Sequence, residues 1–101
     1  MNEVLTKQAY VEIQRLDKRP AKAVEGSITF ELRADCVYYT WRVEDAAGKL
    51  LGSVSRGVTL RLVPAGFDPF DFALPHALES LKHYQILRRT AFEVKTWAWL
   101  S

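Results

Sequence analysis

The sequence has little of what stabilises or localises unusual proteins. Its 101 residues include one cysteine, Cys36, so no intrachain disulfide can form and the fold must rest on packing. A single thiol fits a reducing compartment. Five glycines and four prolines exclude collagen-like and Pro/Gly-rich low-complexity chains. No apolar run approaches the ~20 residues needed to cross a bilayer. Met1-Asn2-Glu3 opens on an acid, unlike the basic start of an export signal. A cytoplasmic protein with no membrane contact is therefore expected. An excess of one charge is also missing: 14 Lys+Arg against 12 Asp+Glu leave a net +2, a smaller basic excess than DNA-binding domains carry.

What is present suffices for a core. At 49% hydrophobic and 12% aromatic the chain is too apolar to be a disordered tail. At this length one domain over residues 1–101 is expected, burying on the order of 60–65% of the surface of the unfolded chain. No internal repeat or linker divides it.

Two segments alternate cleanly. Ile28, Phe30 and Leu32 alternate with Thr29, Glu31 and Arg33, and Val37, Tyr39, Trp41 and Val43 alternate with Tyr38, Thr40, Arg42 and Glu44. Each predicts a half-buried strand. Asp45-Ala46-Ala47-Gly48-Lys49 then reads as a hairpin loop in which Gly48 supplies the positive φ. A third strand starts at Leu50, with Val54, Val58, Leu60 and Leu62 in phase, and Arg56-Gly57 predicts a bulge or a division into two short strands. Residues 64–75 are rich in turn formers, and Phe67, Phe70 and Phe72 pack that loop back onto the core. Leu74, Ala77, Leu78, Leu81 and Tyr84 predict the main helix over about 75–88, with Pro75 in its first turn. A closing strand follows, with Phe92, Val94, Ala98 and Leu100 alternating against Glu93, Lys95, Trp97 and Trp99.

Residues 4–16 read two ways. As a helix they gather Leu5, Ala9, Ile13 and Leu16 into one stripe ended by Lys18, Arg19 and Pro20, and this reading is slightly favoured. As a strand they alternate Ala9, Val11 and Ile13 with Tyr10, Glu12 and Gln14. Either way the expected fold is α+β, an antiparallel sheet of four to five strands packed on one main helix.

Catalytic constellations fail on geometry. His76, Glu79 and His83 carry metal-ligating groups, but His76 and His83 are about 10 Å apart along a helix axis, too far to share one Zn²⁺; a solvated helix face accounts for them. Cys36 stands beside Asp35, which disfavours a reactive thiolate. Asp68 and Asp71 read as turn-capping residues before they read as an acid/base pair. No catalytic residue, metal or cofactor is assigned, and a small enzyme is the least favoured class.

Two surface features remain. If the helix covers the Phe92/Val94 face, Trp97 and Trp99 point the other way and need a cover: the N-terminal segment, a second copy or a partner protein. A terminal edge strand is also a natural place for strand addition. The favoured reading is a non-enzymatic interaction module, self-associating through its C-terminal strand, with Trp97, Trp99 and Tyr38 as interaction residues. The alternative is nucleic-acid binding through Arg42, Arg61, Lys82, Arg88 and Arg89, against which Glu31, Glu44 and Glu93 stand on the same strand faces as ion-pair partners.

Phe30-Glu31-Leu32 followed by Asp35, Trp41-Arg42-Val43, Ala47-Gly48-Lys49, Ser53 to Gly57, and Leu78 to Lys82 together resemble the YegP-like small domain over residues 28–87. That resemblance implies a β-β-β-α fold element, with residues 58–74 inserted before the helix, and implies no activity.

Overall fold

A computed structural model of the chain describes residues 5–16, 22–45, 47–83 and 92–100. The elements run β1 (Leu5–Arg15), β2 (Lys22–Arg33), β3 (Cys36–Glu44), β4 (Leu50–Thr59), a 3₁₀ turn (Leu60–Leu62), α1 (Pro69–His83) and β5 (Phe92–Leu100). The strands form one antiparallel sheet in the order β4-β3-β2-β1-β5. The expected α+β architecture is thus the observed one, an antiparallel sheet with a single helix. No helix among the described residues is long and apolar enough to cross a membrane.

The N-terminal segment is a strand, against the favoured helical reading. β1 lies between β2 and β5 with Ala9, Val11 and Ile13 completely buried. Burial of that alternate set outweighs the helical stripe, because Leu5 and Leu16 would have to be covered in a helix and both are exposed here. With β1 in place, Val24, Ile28 and Phe30 of β2 and Val37, Tyr39, Trp41 and Val43 of β3 share one buried face. Each fully buried aliphatic or aromatic side chain there contributes roughly 1.5–3 kcal/mol.

The hairpin loops follow their residues. Asp45 N–H donates to the Lys49 carbonyl and Gly48 N–H to the Asp45 carbonyl, both at 2.9 Å, with Gly48 at φ 81°. The Asp45 carboxylate also accepts from Ala47 N–H at 3.0 Å and Lys49 N–H at 2.9 Å. β4 is one unbroken strand: Arg56 pairs with Tyr39 in phase with Val54 and Val58. The irregularity falls at Leu51, where Val43 pairs with Gly52 but Glu44 with Leu50.

The helix starts at Pro69, six residues before the expected position, and Pro75 lies in its interior. Asp68 sets the start as N-cap, its carboxylate accepting from Phe70 N–H at 2.8 Å and Asp71 N–H at 3.1 Å. Pro69 occupies the first helical position, where a missing N–H costs nothing. Phe67, before the cap, meets Phe72 edge-on with centroids 5.9 Å apart, a hydrophobic staple that fixes the entry angle. Inside the helix Pro75 leaves the Asp71 carbonyl without its usual helical donor. Ala73, Leu74, Ala77 and Leu81 turn to the sheet, and the helix packs chiefly on β3 and β2. Trp41 Nε1 donates to the Ala77 carbonyl at 2.7 Å, joining sheet to helix.

Candidate interaction surface

β4 and β5 are the two edges of the sheet. An edge presents unpaired backbone donors and acceptors, and proteins usually blunt it with charge, proline or bulges. β4 carries Gly57, an exposed Arg56 and the irregularity at Leu51. β5 has its own bulge: Glu12 pairs with Thr96 and Ile13 with Val94, leaving Lys95 as the extra residue. Beyond it, Thr96–Leu100 pairs regularly with β1 and contains no charge, glycine or proline.

The bulge corrects the expected orientation of the indoles. One inserted residue reverses the phase of everything after it, so Trp97 and Trp99 lie across from Val11 and Ala9 on the helix-covered face, together with Val94. Trp99 packs on the core, its ring 5.3 Å from Phe30. Trp97 meets Trp99 edge-on at 5.7 Å and remains 40% exposed. The Lys7 ammonium sits 4.2 Å above Trp99 and 5.8 Å from Phe70, where a cation is attracted by the ring faces. Sequence reasoning missed Lys7, whose place beside Ala9 and Val11 follows only once residues 4–16 are a strand. Phe70 packs onto the core as its sequence context predicts, meeting Phe30 edge-on at 6.5 Å, but from the first turn of α1 and not from a loop.

Tyr38 lies apart from the tryptophans. It points from β3 to the opposite, open face, and β2 and β1 separate β3 from β5. Its ring lies across Gly57, where a Cβ would come within 3.2 Å of Tyr38 Cδ1, and the Arg33 guanidinium sits 5.5 Å from the ring centre. Such an aromatic over a strand glycine covers backbone that has no side chain of its own.

The open face is polar. Gln8 Nε2 donates to Thr29 Oγ1 at 3.3 Å, and the Thr40 and Ser55 hydroxyls bond at 3.0 Å. Basic residues pair along their own strands: Arg33 with Glu31 at 2.8 Å, Arg42 with Glu44 at 3.4 Å and Lys95 with Glu93 at 3.3 Å. By register Glu12, Glu25, Glu31, Glu44 and Glu93 share this face with Arg33 and Arg42, so carboxylates outnumber guanidinium groups on it. Partial burial first, then the Glu25 and Glu12 carboxylates and a hydrogen bond to Glu25, raise the Tyr10 pKa above its ordinary 10.0. Tyr10 is therefore a neutral donor across the physiological range.

The nucleic-acid candidates are scattered. Arg42 is on the open face, and Arg61 is exposed in the 3₁₀ turn at the other end of that strand pair. Lys82 belongs to the last turn of α1, while Arg88 and Arg89 lie outside the described residues. Of the catalytic candidates, Asp68 is the helix cap and the His76 ring packs against Phe72 in a tilted contact, centroids 5.1 Å apart. An open cleft of roughly 380 Å³ between α1 and β4 is lined by Tyr39, Arg56, Val58, His76, Glu79 and Ser80. The Ser80 hydroxyl there donates to the Ala77 carbonyl at 2.7 Å. Among the described residues no three His, Cys, Asp or Glu side chains converge as a metal site.

Comparison with protein-family models, curated proteins and solved structures finds no match to this chain.

Proposed function

We propose that this protein is a small non-enzymatic interaction module that self-associates through β5, in a cytoplasmic setting. The observation that carries this reading is the contrast between the two sheet edges. β4 is irregular at Leu51 and bears an exposed arginine, whereas Thr96–Leu100 is regular and uncharged and shows Trp97 at 40% and Leu100 at 49% exposure. An aromatic-bearing edge strand with no further strand beyond it among the described residues is suited to strand addition, in which main-chain bonds give affinity and alternate side chains give specificity. Interface cores are likewise enriched in tryptophan.

Nucleic-acid binding draws less support. Arg42 is already paired with Glu44, and phosphate would meet the carboxylates that share the open face. Counterion release requires several unopposed cations on one surface. The likeness to the YegP-like domain adds a fold element to the proposal and no activity.

Sedimentation tests the reading. Wild-type protein is expected to dimerise reversibly across the micromolar range, and Trp97→Ala to sediment as a folded monomer, since Trp97 contributes little to the buried core. A wild-type chain that stays monomeric throughout that range refutes self-association.

A further inference from the structure

We infer that the occupant of the β5 edge is the same edge of a second copy, paired antiparallel about a two-fold axis at Ala98; this rests on the self-association proposed above. An isologous interface must be self-complementary. Trp97-Ala98-Trp99 reads identically in both directions, and it lies in the regular part of the strand, past the bulge at Lys95.

The register follows from the faces and the bulge. Directly opposed residues in an antiparallel pair share a face, so a two-fold normal to the sheet must pass through a residue and not between two. Centred on Thr96 or Trp97, the pairing runs through Lys95, where the ladder is already irregular. Centred on Trp99 or Leu100, it leaves much of the regular segment unpaired. Only Ala98 uses all of Thr96–Leu100, setting Thr96 against the copy's Leu100 and Trp97 against the copy's Trp99.

That register covers what the single chain leaves open. Cross-strand Cβ atoms lie roughly 4.5–5.5 Å apart, so the exposed Trp97 ring gains the copy's Trp99 as neighbour. The edge-on contacts from Phe30 through Trp99 to Trp97 then meet their copies across the axis in one patch of four indoles. The two sheets join into one of ten strands with both helices on the same side. Because α1 packs chiefly on β3 and β2, it stands back from the shared edge.

Spin labels on the open face read the axis. In a Cys36→Ser background, nitroxides are attached singly at Thr96→Cys, Ala98→Cys and Leu100→Cys, all exposed positions. Labels at 98 face each other across the axis, whereas those at 96 or 100 are offset from their copies by four residues, about 13 Å along the strand. Dipolar broadening is expected to be strongest at 98 and weaker, by equal amounts, at 96 and 100. A maximum at 96 or 100 overturns the register while leaving self-association intact, and a dimer with no broadening at any position overturns the β5 edge as the interface. Persistent monomer defeats the underlying functional reading instead. As a second variant, Ala98→Arg sets like charges opposite each other only in this register. It is expected to weaken association several-fold with an unchanged far-UV spectrum, and wild-type affinity in that variant overturns the Ala98 axis.

Discussion

The Trp41 indole shows how one residue position is made possible by another. Trp41 is the largest fully buried side chain, and its Nε1 is satisfied by the Ala77 carbonyl 2.7 Å away. Its ring needs space over β2, and Gly26 provides it: a Cβ there would stand 3.0 Å from Trp41 Cζ3 and 3.4 Å from Ile13 Cδ1. The indole cannot swing aside without breaking the buried bond to Ala77, and leaving a buried donor without a partner costs about 1–3 kcal/mol. Gly26→Ala is therefore expected to destabilise the fold by about 1–3 kcal/mol, the usual cost of overpacking, even though alanine suits a strand better than glycine does. Urea unfolding measures it; a stability equal to or above wild type would show that the ring relaxes freely.

At the scale of elements, the helix start has a local cause that can be removed. Asp68 caps two backbone N–H groups, and truncating such a cap costs about 1 kcal/mol. Asp68→Ala is expected to lose that amount in equilibrium unfolding and Asp68→Asn to keep most of it, because the amide oxygen still accepts; equal losses in the two variants would assign the effect to charge alone. This start signal was legible, since Asp68-Pro69 precedes an apolar periodicity, but Pro75 competed as a second start. Only the packing of Ala73, Leu74 and Phe70 shows that the helix runs through it. β2, β3 and the Gly48 hairpin were readable because alternation and turn chemistry are local. The face of Trp97 was not, because the bulge at Lys95 exists only relative to Glu12 and Ile13, some eighty residues earlier in the chain. The strand state of β1 was hidden for the same reason: its burial depends on β2 on one side and β5 on the other. Of the candidate surface, the tryptophans were legible as residues and their orientation was not.

Across the whole molecule, contacts close over very different lengths of chain. The molecule is elongated, 49 × 22 × 22 Å, because strands of up to twelve residues extend about 40 Å. β2, β3 and β4 are joined by tight turns, Arg33 pairing with Cys36 three residues on, while Gln8 pairs with Leu100 ninety-two residues away. Loop-closure entropy rises by about 0.6 kcal/mol per doubling of length, so bringing β5 to β1 costs about 3 kcal/mol more than closing the β2–β3 turn. The chain is therefore expected to build the β2–β4 meander first and to dock β5 last. Kinetics on the monomer separate the two steps. Trp99→Phe, which loosens the contacts of β5 with Phe30, should accelerate unfolding and leave the folding rate nearly unchanged. Val37→Ala, in the buried start of β3, should slow folding. Stopped-flow folding and unfolding arms give the ratio directly, provided each variant loses more than about 0.6 kcal/mol of stability. A Trp99→Phe variant that folds more slowly with an unaltered unfolding arm would mean that the closing strand belongs to the nucleus, and that the chain's two ends meet before the meander between them is complete.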